Sequence, residues 1–73
     1  MTKKTQKQLA KIRENLVTVR QSKKVSQTQI GEHLGCKKDM VSKIENGIVE
    51  MRVEHLLAYA AVCGVSESTL IRG

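Results

Sequence analysis

The side chains of this chain that could do chemistry are mostly cations. Thirteen Lys and Arg outnumber seven Asp and Glu, for a formal charge of +6. In residues 1–24, Lys3, Lys4, Lys7, Lys11, Arg13, Arg20, Lys23 and Lys24 are opposed by Glu14 alone, whereas the rest of the chain is close to neutral. A basic third on a near-neutral body is what a polyanionic partner requires, because each cation that meets an anion releases a counterion. A membrane surface and a nucleic acid both fit that description. Other chemistries find less support. His33 and His55 are isolated, and neither stands at ligand spacing from Cys36 or Cys63, so no metal site is expected. There is no Gly-rich phosphate loop and no Cys-His pairing with an orienting acid, so neither an enzyme nor a cofactor is expected.

The elements that must position these cations can be read from the apolar pattern. Seventy-three residues make one domain at most, and a chain this short buries only about 60 % of the surface its unfolded form exposes. With Tyr59 as the one aromatic, its core must be aliphatic, which suits small packed helices. Residues 1–6 are polar and basic and read as a flexible arm, with residues 7–73 as the folded domain. Leu9, Ile12, Leu16 and Val19 share one face of a helix over 7–22, and Lys11, Asn15, Thr18 and Ser22 fall on the opposite face. Ser26 and Gln29 form a capping-box pattern that opens a second helix, which carries Ile30 and Leu34 inward and ends at Gly35. A third helix over 37–46 turns Val41 and Ile44 to the core, and Asn46-Gly47 closes it. A fourth over 52–63 presents Val53, Leu56, Leu57, Ala60 and Cys63, with Gly64 as its stop, and a last one covers 66–71. The expected fold is all-α, a compact bundle of five short helices with a helix-turn-helix at 26–47. Gly31 is expected where the second and third helices approach closely. The polar start lacks the apolar stretch of a signal peptide, no run approaches a membrane span, and the cysteines form no Cys-x-x-Cys pair. The expected setting is therefore cytoplasmic, with reduced thiols and no membrane partner.

Ser26-Gln27, Leu34-Gly35, Ile44-Glu45-Asn46-Gly47, Leu56-Leu57-Ala58-Tyr59-Ala60 and Gly64-Val65-Ser66 together resemble the phage repressor and Cro family of helix-turn-helix domains, also called the xenobiotic-response-element family. The resemblance covers about residues 12–71 and implies a lambda repressor-like bundle that binds double-stranded DNA, with 37–46 as the recognition helix in the major groove. It offers Lys37, Lys38, Asp39, Ser42 and Lys43 to base edges. Asp39 either accepts from a cytosine amino group or merely complements its helix N-terminus and pairs with Lys43. Gln27 and Asn46 match phosphate-binding positions, and Arg20 and Glu45 match a structural ion pair. Lys3 and Lys4 belong to an arm that either follows the duplex backbone or stays solvated. Two departures from the family stand out: Lys37 occupies a position usually held by a capping Ser or Thr, and the loop Ile48-Val49-Glu50-Met51 is apolar and acidic where relatives carry basic residues. That loop either docks a protein antagonist or partner, or folds under the fourth helix. The expected function is a transcriptional repressor that binds a palindromic operator as a homodimer, with Val65, Leu70 and Ile71 in the dimer contact. The alternative is an antitoxin or adaptor that uses the same fold for protein contact.

Overall fold

A computed structural model describes residues 2–73. Among these residues there are five α-helices and no strand: α1 (Lys3–Ser22), α2 (Gln27–Leu34), α3 (Lys38–Glu45), α4 (Val53–Cys63) and α5 (Glu67–Arg72). Their order and their turns follow the apolar pattern, with one difference at the start of the chain. The expected arm over 1–6 is replaced by helix from Lys3 onward, and Met1 lies outside the described residues. The Thr2 side chain accepts from the Thr5 N–H at 3.2 Å and so caps the helix, and the Lys and Gln residues behind it are good helix formers. Residues 3–8 bury nothing, which is why an apolar periodicity gives no sign of this turn.

The α2 terminus forms the full capping box. Ser26 Oγ accepts from the Gln29 N–H at 3.1 Å and Gln29 Oε1 accepts from the Ser26 N–H at 2.8 Å. Gly35 ends the helix in the left-handed conformation, at φ 77°. The core that these elements enclose holds Leu16, Ile30, Val41, Ile44, Tyr59 and Leu70, all with no exposed surface. Cys36 and Met51 pack against it while half-buried.

Four expected positions differ. On α4 the inward side carries Ala58, Tyr59, Ala60 and Cys63, whereas Val53 and Leu57 are exposed, at 73 % and 49 %. The helix has apolar residues around most of its circumference, so periodicity could not choose the buried side. Leu70 lies wholly inside the monomer and is removed from any dimer contact. Asn15, expected on the wet face of α1, is 5 % exposed, and its Nδ2 donates to the Leu70 carbonyl at 2.8 Å. That bond ties α1 to α5 across the chain. Asn15→Leu is expected to lower the unfolding free energy by about 1–3 kcal/mol, since a buried carbonyl then loses its donor; urea denaturation would reveal it, and an unchanged midpoint would contradict this role.

Candidate nucleic-acid interface

The geometry of α3 decides what the surface can touch. Val41 and Ile44 are fully buried, so the helix is anchored by one stripe. Asp39, Lys43 and Asn46, spaced four and three apart, fall on the far side, and all three are exposed. Lys37 and Lys38 at the amino-terminal end are exposed as well, and Ser42 is half-buried. Lys37 holds the N-cap position in extended conformation with no side-chain cap, so the first N–H groups of α3 are left for solvent or a ligand. Asp39 lies in the first turn but makes no ion pair: among the described residues the pairs are Lys11–Glu14 at 3.9 Å and Arg20–Glu45. The pairing of Asp39 with Lys43 is therefore absent. The structure also exposes Met40, 39 % accessible on α3, which the sequence reading left out. Its place beside Val41 gives no periodic signal for either face.

A buried polar network sets the orientation of α3. Arg20 from α1 donates through Nε to Glu45 Oε2 at 2.7 Å and through Nη2 to Oε1 at 3.0 Å, while its Nη1 donates to the Val25 carbonyl at 3.0 Å. Tyr59 Oη from α4 donates to Oε2 at 2.5 Å, and Gln27 Nε2 from α2 donates to Oε1 at 3.1 Å. One carboxylate thus accepts four hydrogen bonds and joins α1, α2, α3 and α4. Burial pushes the Glu45 carboxyl upward, but the bonds from Arg20, Tyr59 and Gln27 outweigh it and hold it below its ordinary range. Tyr59 is pushed far upward, first by burial and then by its bond to Glu45, so the phenol stays protonated. Burial raises the Cys63 thiol too, against the pull of Arg20 and Lys23. Sequence reading found Arg20 and Glu45 but missed Tyr59, for which being the lone aromatic was the available sign.

The remaining candidates are placed as follows. The Gln27 amide is half-buried at the start of α2 and already has one of its N–H groups on Glu45. Asn46 Nδ2 donates back to the Ser42 carbonyl at 2.8 Å, capping the end of its own helix. Lys3 and Lys4 are exposed on the first turn of α1. Val65 is half-buried against the core and Ile71 is 49 % exposed. Among the described residues no cluster of His, Cys, Asp or Glu could hold a metal ion, and no helix is long and apolar enough to cross a membrane. His33 is exposed, whereas His55 Nδ1 accepts from the Arg52 N–H at 3.0 Å and caps α4.

Two short helices crossing at a glycine-bearing turn, with the second anchored on one stripe and bare on the other, coincide with a family match. The family model described as helix-turn-helix matches residues 16–70. The chain belongs to the helix-turn-helix family, in its phage repressor and Cro type. This is a family of DNA-binding transcriptional regulators and not of enzymes. No curated protein and no solved structure matches the chain. Within the helix-turn-helix, the matched segment includes all of α2 and α3 together with the Arg20–Glu45 pair, so the network and the bare face of α3 both belong to the family region.

Proposed function

We propose that the protein is a sequence-specific transcriptional repressor that binds a palindromic operator as a homodimer, with α3 in the major groove. The observation that supports this most is the two-sidedness of α3: Val41 and Ile44 are completely buried while Lys38, Asp39 and Lys43 are exposed and make no ion pair among the described residues. Lys38 or Lys43 would donate to guanine O6 and N7, Asp39 would accept from a cytosine amino group, and Met40 would meet a thymine methyl. Lys37 and Ser42 would flank these contacts. Gln27 keeps one amide hydrogen for a phosphate after its bond to Glu45, whereas Asn46 would exchange its longer bond to Ser42 Oγ, 3.3 Å, for one. Lys3 and Lys4 would add to the backbone attraction as part of α1. With Leu70 removed, Val65 and Ile71 remain for the dimer contact, and Val53 and Leu57 are further exposed apolar residues. Two half-sites would then lie about one helical turn, roughly 34 Å, apart.

Selecting bound fragments from a random duplex pool tests the proposal. A recovered site with two-fold symmetry supports it, and recovery of no preferred sequence removes it. Lys38→Ala is expected to relax discrimination at one base pair by about 1–3 kcal/mol, whereas Lys4→Ala is expected to weaken all duplexes alike and to flatten the salt dependence. Competition binding with mutated operators distinguishes these outcomes; equal effects of both variants on every sequence would rule out the assignment of Lys38.

A second reading has one observation in its favour. Ile48 is 74 % exposed in the loop after α3, beside Glu50, so this loop offers an apolar and acidic patch to a protein partner. An antitoxin or adaptor would bind DNA weakly and without sequence preference, and Ile48→Ser would abolish its protein contact.

A further inference from the structure

Arg13 on α1 has no place in the network around Glu45, and its surroundings are unusual for a half-buried arginine. Its guanidinium lies over Gly47, so that a β-carbon at Gly47 would be 3.2 Å from its Cζ and Nε. Arg13 lines two adjoining clefts, one shared with Asn46 and Thr18, the other with Gln6, Gly47 and Ile48. No carboxylate is within ion-pair distance among the described residues: Glu14 is directed to Lys11 and Glu45 is committed to Arg20. None of its donors makes a side-chain hydrogen bond there either. Asn46 belongs to the outward stripe of α3 with Asp39 and Lys43, so the guanidinium is at the edge of that stripe. The segment from Ile44 to Met51 contains no Lys or Arg, so the end of α3 and the residues just after it have no cation of their own before Arg52 at the N-cap of α4. Arg13, coming from a different helix, supplies one.

We infer that Arg13 is a phosphate-binding residue of the DNA interface, gripping the duplex backbone at the carboxy-terminal edge of α3 together with Asn46. This rests on the reading of α3 as the recognition helix. A guanidinium is suited to the task because its planar fork presents paired donors to a phosphate, and holding it against Gly47 before binding reduces the ordering cost. Because α1 carries Arg13 and Arg20 about two turns apart on one side, the same helix that orients α3 through Glu45 also holds the backbone beside it.

A phosphate contact acts on all sequences equally and shows in the salt dependence. Binding of the purified protein to a mixed-sequence duplex, titrated from about 50 to 200 mM salt, would be compared with that of Arg13→Gln. The variant is expected to lose about three- to tenfold in affinity at the low-salt end and to have a log-log slope smaller by about 0.9, with Arg13→Lys recovering most of the slope. Arg13→Met, which keeps the aliphatic stem over Gly47, gives the same readout should the glutamine variant unfold. A neutral variant with lower thermal stability and an undiminished slope would overturn the inference, because Arg13 would then serve only the end of α3. Wild-type protein that binds no duplex at low salt would remove the DNA reading and this inference with it, whereas wild-type binding with an unchanged variant slope would remove this inference alone.

Discussion

Replacing Glu45 with glutamine is expected to cost about 3–5 kcal/mol of folding free energy, because it leaves the Arg20 guanidinium charged and uncompensated in a buried position. The side chains of the pair are only 11 % and 5 % exposed, so water cannot take over the lost partner. A domain of this length is expected to be stable by roughly 4–11 kcal/mol, so the single change removes a large part of the total. Urea denaturation followed by circular dichroism is the measurement. Arg20→Met combined with Glu45→Met is expected to cost less than Glu45→Gln alone, since no charge then remains inside. Equal or greater damage in the double variant would show that Arg20 is indifferent to Glu45. Tyr59→Phe removes one donor to a charged acceptor and is expected to cost about 1.5–3 kcal/mol.

The same network sets a pH window. For Glu45 the folded pKa lies below the ordinary value of 4.5, so the stability it contributes is complete above that value and is lost as pH falls through the folded pKa. For Tyr59 the folded pKa lies above the ordinary 10.0; the unfolded phenol ionises first, and stability declines as pH rises beyond about 10. Denaturation midpoints are therefore expected to fall on both sides, with the alkaline decline begun by Cys63, whose thiol burial raises above its ordinary 9.0, and steepened by Tyr59. In Tyr59→Phe the alkaline fall should diminish, and an alkaline limb of unchanged steepness would assign it to other groups.

Helix existence was legible because each helix carries a local signal. Ser26 and Gln29 mark the start of α2, Gly35 and Gly64 mark ends, and the spacing of Val41 and Ile44 sets the inward stripe of α3. Legibility failed where a signal was tertiary or had no apolar component. The first turn of α1 is held by Thr2 and by propensity, with no buried residue to mark it. Asn15 looks like a surface residue until α5 folds over it and presents the Leu70 carbonyl. Val53 and Leu57 are as hydrophobic as their buried neighbours, and only the position of α4 on the bundle separates them. Among the interface candidates, residues on α3 could be named from one helix and its stripe. Arg13 could not, because its nearness to Gly47 joins residues far apart in the chain.

Gly31→Ala isolates the angle between α2 and α3 from the chemistry of either helix. A β-carbon at position 31 would lie 2.6 Å from the Cys36 carbonyl oxygen and 3.3 Å from the Lys37 carbonyl carbon, both backbone atoms that no rotamer change can move. The Gly31 carbonyl also accepts from the N–H groups of Gly35 and Cys36, the latter at 2.8 Å, so the turn is pinned to the residue that would push it away. Alanine in a helix interior is favoured over glycine by about 1 kcal/mol, whereas forcing a methyl group into filled space costs about 1–3 kcal/mol. Contact with rigid backbone favours the upper part of that range, so a net loss of stability is expected. The displaced atoms lead directly into Lys37 and Lys38, and a shift of the order of 1 Å there would misalign side chains that must meet base edges within hydrogen-bonding range. Affinity for the selected operator is accordingly expected to fall at least tenfold, while binding to mixed-sequence duplex, which depends on charge alone, changes little. An alanine variant that is more stable than the wild type and equally selective would show that α2 and the turn have room to spare.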